Sequence, residues 1–540
     1  MKKSLLIVAL FYSLLSFGTS EYKFRVQLKD KGTTSFSLDS PIEYLSQRAI
    51  DRRVKQAIKI DSCDLPISAQ YLQEIENLGG IIVAKSKWVK TVSVHSADST
   101  IADRLKNLPF VKDVSLVWVG GAEKTRKSKD FKRIAQEKES SYGLSYEQIA
   151  IHDAIPLHEQ GFAGEGMEIA VIDAGFKNLE TIPYTDNISI RGIKDFVYQG
   201  DDMMTEGSDH GLSVLSCMAT NQPGTYIGTA PKAKYWLLRT EDIRSEYPIE
   251  EDYWISAIEY ADSVGVDLVN SSLGYSFFQI PIESHKFEEL DGKTTLISQA
   301  AQMATDKGIF VVSSAGNEGA TNWGKITLPG DAPDVLTVGA IAQDSIVASF
   351  SSRGPTADLR IKPDVVAIGQ GTKYINSDGY IVSGNGTSFS SPIMCGLVAC
   401  LWQANPNLTN KQILNIVRTA SHMHATPNEI FGYGIPDMKI ALNLALNQPG
   451  GSGIDEYLVT SQDSHFWVKS LHRGQISIEP KTSDGMKYNI SIVTADGHTI
   501  LKDSFSHYKE WNVLSHDRKF YIVLINNDNS GVNERRKLLF

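Results

Sequence analysis

The sequence predicts an α/β protein in which a mostly parallel sheet is covered by helices on both faces. A small α+β domain precedes this sheet, and a small antiparallel β domain follows it. Short apolar strands alternate with helical segments over residues 149–446, which is the pattern of a parallel sheet buried on both faces. Residues 21–122 have the order β-α-β-β-α-β, and residues 455–540 are strand-like again.

The composition excludes several other classes of protein. Of the 540 residues, 42% are hydrophobic and 21% are charged, so a wholly disordered chain is ruled out. The net charge of −10 argues against a nucleic-acid partner bound by bulk phosphate neutralisation. Four cysteines are too few for a disulfide scaffold. Three of them, Cys217, Cys395 and Cys400, lie on apolar segments and are expected to be buried thiols.

The N-terminus has the features of a secretory signal peptide over residues 1–20. Lys2 and Lys3 precede an apolar run from Leu5 to Phe17, and small residues follow it. A membrane anchor is the alternative, but the run is shorter than the ~20 residues that a bilayer core needs. We therefore expect a secreted or cell-surface protein with no stable membrane span after signal removal.

The domain at residues 21–122 is predicted to be a split βαβ unit, which is a ferredoxin-like arrangement. A charged amphipathic segment, Pro41 to Ile58, interrupts it. The predicted elements are strands at Tyr22–Leu28, Ile81–Ala84, Trp88–His95 and Val114–Val119 and helices at Ser68–Leu78 and Ser99–Leu108. Residues 123–148 include the basic stretch Lys124–Lys138 and are predicted to be an exposed connector where proteolytic processing can occur.

The central domain, residues 149–446, alternates strands with helices. Its strand-like segments are MEIAVID, KYWLLRT, VDLVNSSLG, IFVVSSAG and VLTVGAI, and its helical segments include HGLSVLSCMA, YWISAIEYAD and LISQAAQMATDKG. Helices at Pro392–Asn405 and Lys411–Ala420 are predicted to close it. A linker at residues 447–454 leads to a β domain with strands QISIEP, YNISIV and FYIVLI and a hairpin turn at Asp496-Gly497.

Two candidate catalytic residues lie early in the central domain. Asp173 ends the apolar run Ile169–Ile172, and functional groups collect at the carboxyl ends of parallel strands. His210 opens a helical stretch directly after a Ser-Asp pair that can cap it. Each residue alone also fits an ordinary role, as a turn aspartate or a surface histidine.

Two more candidates lie later in the chain. Ser388 sits in GNGTSFSSP, where glycines permit close backbone approach and Pro392 suits the first turn of the following helix. Its hydroxyl would then lie at the positive end of a helix dipole. Asn317, in SSAGNEG, follows a buried strand and can donate an amide hydrogen bond to developing negative charge. The alternatives are an ordinary N-cap and a left-handed turn residue.

Together these four residues supply the parts of an acyl-transfer site. Serine needs a base to remove its proton, and histidine is the natural base near neutral pH. A carboxylate orients the imidazole, and a positioned donor stabilises the oxyanion. The sequence contains no G-x-S-x-G elbow of an α/β-hydrolase and no HExxH of a zinc peptidase.

The blocks VIDAG, DHGLSVLS, SSAGNEG and GTSFSSP resemble the catalytic blocks of the subtilisin-like serine peptidases, the subtilases. Further blocks in family order over residues 150–445 are GTAPKAK, VNSSLG, PDVLTVGA, FSSRGPTADLRIKPDVVA and FGYGIPD. The resemblance implies a subtilisin-like fold and a serine endopeptidase that hydrolyses peptide bonds through an acyl-enzyme. It assigns the catalytic triad to Asp173, His210 and Ser388 and the oxyanion amide to Asn317.

The resemblance also implies a substrate groove. The strand Val266–Gly274 can pair with a peptide through its main chain, and in the family the matching Ser-Leu-Gly segment lines the groove. The residues so assigned are Ser272, Leu273, Gly274 and Gly316. An ordinary core strand is the alternative. One departure is Ser213, which stands where many relatives have a second histidine, and we expect altered packing there.

The flanking domains also resemble known ones. The α+β domain resembles the family's inhibitory pro-domain, which would make this chain a zymogen with its own pro-domain as intramolecular inhibitor. The alternative is an unrelated binding module. The C-terminal β domain resembles sorting domains of exported Bacteroidetes proteins, with a substrate- or surface-binding module as the alternative.

Other functions remain open on the sequence alone. A catalytically silent relative would bind protein or peptide partners without cutting them, and a peptide ligase would use the same acyl-enzyme. Calcium is common in the family, but Asp201-Asp202 and the Asp331–Asp334 turn offer few oxygens against the ~6–8 that calcium takes. No cofactor is therefore assigned.

Overall fold

The computed structural model describes residues 21–120, 140–198, 204, 207–279, 281–448, 466–471, 475–480, 486–494, 499–512, 520–527 and 532–539. The predicted signal peptide, the basic stretch Lys124–Lys138, the Asp201-Asp202 pair and the predicted Asp496-Gly497 turn lie outside these residues. The chain divides into two compact units, Met1–Ala445 and Leu446–Phe540.

The N-terminal domain is a four-stranded antiparallel sheet with helices. Its elements are β1 (Tyr22–Leu28), α1 (Gln47–Lys55), α2 (Ala69–Asn77), β2 (Ile81–Ser86), β3 (Thr91–Ser96), α3 (Ile101–Lys106) and β4 (Val111–Val119). The strand order is β2-β3-β1-β4, so the predicted β-α-β-β-α-β arrangement is present, with α1 as an added helix inside the charged segment. Strand β3 begins later than predicted because residues 87–90 form a turn, in which Val89 N–H donates to Ser86 Oγ at 3.0 Å.

The central domain is built on a seven-stranded sheet. Its elements are α4 (Tyr146–Ala150), α5 (Ile155–Glu159), β5 (Glu168–Asp173), β6 (Ser189–Asp195), α6 (His210–Ala219), β7 (Asn221–Gln222), β8 (Tyr226–Ile227), β9 (Lys234–Arg239), α7 (Ile249–Val264), β10 (Leu268–Ser271), α8 (Leu296–Asp306), β11 (Phe310–Ser314), β12 (Leu336–Ile341), β13 (Val365–Ile368), β14 (Gln370–Ile375), β15 (Ile381–Asn385), α9 (Thr387–Ala404), α10 (Asn410–Thr419) and α11 (Met438–Leu446). The sheet order is β13-β12-β11-β10-β5-β9-β6, and every neighbouring pair is parallel.

The predicted parallel sheet is confirmed, and the burial of its central strands explains the apolar segments on which the prediction rests. Every residue of β5, β10, β11, β12 and β13 is buried, as near-continuous apolar strands require. Because the strands are parallel, their carboxyl ends meet at one edge. We call this the carboxyl edge and the opposite one the amino edge. None of the described helices is long and apolar enough to cross a membrane.

The C-terminal unit consists of antiparallel strands, as predicted. Its elements are β16 (Phe466–Leu471), β17 (Gln475–Pro480), β18 (Tyr488–Thr494), β19 (Thr499–Phe505), β20 (Lys509–Asn512), β21 (Phe520–Asn527) and β22 (Val532–Leu539). They form a three-stranded sheet, β16-β17-β20, and a four-stranded sheet, β19-β18-β21-β22. Apolar side chains including Phe466, Tyr488 and Phe505 form its core.

Candidate active site

Asp173 and His210 are in direct contact at the carboxyl edge. Asp173 is the last residue of β5 and is fully buried, and His210 is the first residue of α6. His210 Nδ1 lies 2.7 Å from Asp173 Oδ1, and the His210 side chain is one-third exposed. The same carboxylate oxygen accepts the N–H of Ala174 at 2.7 Å. A buried carboxylate held in this way fixes the imidazole ring and keeps the proton on Nδ1, which leaves Nε2 as the basic nitrogen.

Two glycines allow this contact. Gly175 has a φ of 143°, and a Cβ there would lie 2.8 Å from the carbonyl oxygen of Ser208. A Cβ at Gly211 would lie 2.6 Å from the carbonyl oxygen of Gly175 and 3.0 Å from Cβ of Asp173. Any side chain at these positions would push the end of β5 away from the start of α6. The two glycines therefore set the Asp173–His210 distance.

Ser388 is the second residue of α9, so the predicted helix start at Pro392 is wrong. The helix begins at Thr387 and contains Pro392 internally. Proline has no N–H for the carbonyl four residues earlier, and here that carbonyl belongs to Ser388. The hydroxyl of Ser272 donates to it instead, at 2.8 Å. The substituted donor lets the helix extend back through the serine, which lies in its first turn near the positive end of the dipole.

The amide of Asn317 has a fixed orientation beside Ser388. Its Oδ1 accepts the N–H of Thr387 at 2.9 Å and the Thr387 hydroxyl at 3.1 Å. The NH₂ group therefore points elsewhere. A Cβ built on Gly386 would lie 2.7 Å from Ser388 Oγ and 3.8 Å from Asn317 Nδ2, so both atoms border the same small space. An oxyanion formed on a carbonyl attacked by Ser388 would occupy this region.

The histidine and the serine lie on adjacent helices. The ring of His210 is 6.3 Å, centroid to centroid, from the ring of Phe389, the residue after Ser388. Phe389 in turn stacks on Tyr374 at 4.3 Å. The structure thus brings Asp173 and His210 into contact, places Ser388 and Asn317 around one space, and puts both pairs at the carboxyl edge of the sheet.

Comparison with known proteins identifies the family of this domain. The profile described as "Subtilase family" matches residues 164–434, half of the chain. The chain belongs to the subtilase family. A second profile, "Peptidase S8 propeptide domain, Bacteroidota", matches residues 23–133.

Individual relatives agree with this family. The subtilase is 28% identical over 350 residues to Subtilisin E of Bacillus subtilis (strain 168), which covers 64% of this chain and 79% of that protein. It is 29% identical over 286 residues to Subtilisin Savinase of Lederbergia lenta, covering 53% of this chain and 93% of that protein. A crystal structure of MycP1 from the ESX-1 type VII secretion system matches with a TM-score of 0.46 and 21% identity, covering 62% of this chain and 93% of that one. The protein is accordingly a serine endopeptidase with a subtilisin-like fold and an N-terminal propeptide domain.

Two of the residues assigned to the substrate groove, Ser272 and Gly316, bond to the start of α9. Ser272 bonds the Ser388 carbonyl, and Gly316 N–H donates to Thr387 Oγ1 at 3.2 Å. Ser314 Oγ donates to the carbonyl of Leu273 at 3.0 Å, which joins the two segments. Gly274 and Gly316 both face Thr327, whose Oγ1 would lie 2.1 Å and 2.7 Å from a Cβ at the respective position.

Sequence reasoning missed Thr387 and Thr327 in the subtilase. By its place before Ser388, Thr387 resembles an ordinary helix cap, but in the structure it orients Asn317. Thr327 lies between the blocks SSAGNEG and PDVLTVGA, outside both, and the fold brings it against Gly274 and Gly316. The signal that could have found Thr387 is its place directly before Ser388, where its hydroxyl can both donate and accept a hydrogen bond.

A half-buried glutamate, Glu241, interacts electrostatically with Asp173. Burial raises the pKa of Glu241 to about 8, and the hydroxyl of Tyr275, which donates to it at 2.6 Å, opposes this rise. The negative charge of Asp173 adds to the elevation. At neutral pH a protonated Glu241 therefore puts no second negative charge beside Asp173.

The departures from the family pattern are accommodated locally. Ser213, in place of a second histidine, is buried, and its carbonyl accepts the hydroxyl of Ser216 at 2.7 Å. Cys217, Cys395 and Cys400 are buried free thiols, and burial raises the pKa of each.

The carboxylates considered for calcium have protein partners where they are described. Asp331 accepts the Ser298 hydroxyl at 2.5 Å and the Gly292 N–H at 2.7 Å. Asp334 pairs with Lys411 at 3.0 Å. Within the described part of the chain, no group of three or more His, Cys, Asp or Glu residues could hold a metal ion.

Proposed function

We propose that this protein is a secreted serine endopeptidase that works through the triad Asp173, His210 and Ser388. The observation that carries the proposal is the buried Asp173 carboxylate bonded to His210 Nδ1 at 2.7 Å. This bond leaves His210 Nε2 to act as the base toward Ser388, which lies on the adjacent helix. Asn317 Nδ2 supplies the oxyanion donor.

The reaction follows from these roles. His210 Nε2 takes the hydroxyl proton as Ser388 Oγ bonds to the peptide carbonyl carbon, and the carbonyl oxygen gains the negative charge that Asn317 stabilises. The imidazolium, stabilised by Asp173, then gives its proton to the leaving amine as the C–N bond breaks. Water, deprotonated by the same imidazole, hydrolyses the resulting ester and frees the serine.

The main chain of the groove suits an extended peptide. Ser272 and Gly316 adjoin the start of α9 through bonds to Ser388 and Thr387, and Leu273 and Gly274 follow Ser272 directly in the chain. Glycines at two of these positions leave backbone groups accessible to a peptide main chain. We therefore propose protein and peptide substrates bound as an added strand.

The triad is tested with the purified secreted chain and a casein substrate. Ser388→Ala is expected to abolish hydrolysis, and a serine-directed phosphonyl reagent should label the wild type at the Ser388 peptide in mass spectrometry. The matched control is Ser390→Ala, since Ser390 is a buried serine on the same helix whose hydroxyl donates to the helix carbonyl of Thr387 at 2.9 Å. Hydrolysis that persists in Ser388→Ala would refute the assignment.

The N-terminal domain is proposed to be an intramolecular inhibitor that is removed on maturation. It packs on α7, where Arg25 pairs with Asp252 at 2.6 Å and Glu259 accepts the N–H of Trp88 at 3.0 Å. If maturation is self-cleavage, Ser388→Ala should accumulate at full length minus the signal peptide. A shortened Ser388→Ala product from a protease-free host would contradict self-cleavage.

The C-terminal β domain is proposed to be a sorting module for export. Its resemblance to sorting domains supports this role, and its separation as a compact unit, Leu446–Phe540, makes removal practicable. A chain truncated after Gly453 should be made but retained in the cells. Unchanged secretion of the truncated chain would exclude the sorting role.

A further inference from the structure

Helix α1 and its flanks, residues 41–64, are an addition to the N-terminal sheet domain and contact the peptidase domain at a place of their own. The chain enters with Ser46 N–H bonded to the carbonyl of Ser263 at 2.8 Å, near the end of α7. Arg48 donates to the carbonyl of Gly265 at 2.8 Å and pairs with Asp267. Gly265 caps α7, and Asp267 directly precedes β10.

The side chain of the next arginine on this helix, Arg52, bonds to residues of the peptidase domain. Arg52 is buried and donates to the carbonyls of Val266 at 2.5 Å and Lys307 at 3.2 Å, and it pairs with Asp262. The Lys307 carbonyl lies at the end of α8, where a carbonyl has no partner within the helix. The Val266 carbonyl lies between α7 and β10. The guanidinium therefore supplies donors that this part of the peptidase domain otherwise lacks.

A buried ionic cluster joins the two domains beside Arg52. Arg53 pairs with Asp262 at 2.7 Å and with Asp64 at 2.8 Å, and all three side chains are fully buried. Lys307 completes the cluster by pairing with Asp64 at 2.9 Å. Positive and negative groups thus come from both domains, so separating the domains breaks the Arg53–Asp262 and Lys307–Asp64 pairs.

Two hydrogen bonds of the Gln56 side-chain amide extend the contact. Gln56 Nε2 donates to the carbonyl of Gly308 at 2.7 Å, and Gln56 Oε1 accepts the N–H of Asn410 at 3.0 Å. Asn410 is the first residue of α10, and Gly308 precedes β11. The segment therefore touches the ends of three helices of the peptidase domain, α7, α8 and α10.

This contact lies at the amino edge of the sheet. Asp267 precedes β10, and Gly308 precedes β11, whereas Asp173 ends β5 and Asn317 follows β11 at the carboxyl edge. Strands of five or six residues span about 17–20 Å. The segment therefore cannot act by covering the catalytic residues. Its role differs from that of the contacts that Arg25 and Trp88 make with α7.

We propose that residues 41–64 are a second anchor, which holds the N-terminal domain on the peptidase domain after the connector between them is cut. Cutting the connector removes the effective concentration that the covalent link provides, while the ionic cluster and the carbonyl bonds involve residues 41–64 and persist. The proposal relies on the proposed function only for the fact that maturation cuts the connector.

The test uses the full chain in an inactive Ser388→Ala background, with the recognition sequence of a site-specific endopeptidase placed within residues 124–138. After complete cleavage, gel filtration should show one species that contains both pieces. A dye on the amino terminus reports dissociation after dilution, because fluorescence anisotropy falls when the smaller piece leaves. No catalytic activity is measured, so failure of the proposed peptidase function would not affect the result.

Two variants weaken the anchor, and one serves as control. Arg52→Met should accelerate dissociation at least about 100-fold, as loss of one partner of a buried ion pair predicts. Arg48→Met, at a side chain 36% exposed, should accelerate it about 2- to 5-fold and is expected to fold even if Arg52→Met does not. The control is Arg104→Met, whose partner Asp98 lies in the same N-terminal domain, with both side chains 47% exposed. Separation of the cut parent on the column, or dissociation of Arg48→Met and Arg52→Met as slow as that of Arg104→Met, would overturn the proposal.

Discussion

Replacing Thr387 by valine tests whether the orientation of Asn317 matters for catalysis. Thr387 is fully buried, and its hydroxyl both donates to Asn317 Oδ1 at 3.1 Å and accepts the N–H of Gly316 at 3.2 Å. Valine has nearly the same shape and neither function. The main-chain N–H of Thr387 still donates to Asn317 Oδ1 at 2.9 Å. The variant therefore removes one of the two hydrogen bonds that Thr387 makes to the amide and keeps the other.

The expected size of the effect follows from these bonds. A neutral hydrogen bond contributes about 0.5–1.5 kcal/mol, which corresponds to about a 2- to 12-fold change in rate at 1.36 kcal/mol per factor of ten. Because Asn317 is exposed, water competes for its amide once the hydroxyl is gone. We therefore expect kcat to fall about 2- to 12-fold with KM nearly unchanged. The unpaired Gly316 N–H should also lower stability by about 1–3 kcal/mol.

The assay is steady-state hydrolysis of a peptide substrate by the matured enzyme, with urea unfolding of the inactive full chain measured separately. Ser390→Ala is the matched control, since it removes a buried hydroxyl from the same turn of α9 without touching Asn317. If Thr387→Val keeps the kcat of the wild type, or loses no more than Ser390→Ala, the amide orientation by Thr387 has no catalytic role.

Three further predictions concern the same domain. Ser272→Ala should lower the free energy of unfolding by about 1–3 kcal/mol in urea titrations, because it removes the donor that Pro392 cannot supply; an unchanged midpoint would contradict this. Gly211→Ala should lower kcat, since a Cβ there lies 3.0 Å from that of Asp173 and must separate the aspartate from the imidazole; a wild-type kcat and pH profile would count against it. Glu241 should make the inactive chain less stable as pH rises, because burial raises its pKa to about 8 while the unfolded chain ionises near 4.3. Its stabilising contribution is complete below the unfolded pKa and is lost as pH rises to the folded value, so Tm should fall between pH 5 and pH 8, and Glu241→Gln should flatten that fall; equal slopes in both chains would refute the assignment.

The accuracy of the sequence predictions depended on how local each signal was. The strands of the central sheet were predicted because burial on both faces makes them apolar nearly throughout. The start of α9 was misplaced because Pro392 is an ordinary first-turn signal, and its tolerance inside the helix depends on the Ser272 hydroxyl, which is more than a hundred residues away. The charged segment Pro41–Ile58 was recognised as amphipathic, but its buried arginines have their partners in another domain, which local pattern cannot identify.

Taken alone, the sequence determined the alternation of strands and helices, the family resemblance and the identities of the reacting groups, because apolar periodicity and short motifs are properties of neighbouring residues. Only the tertiary structure decided which groups meet. It set the Asp173–His210 bond through two glycines, the orientation of Asn317 through Thr387, and the burial of Arg52 and Arg53 against the peptidase domain. These are contacts between segments separated by tens to hundreds of residues, and their geometry depends on the packing of the whole chain.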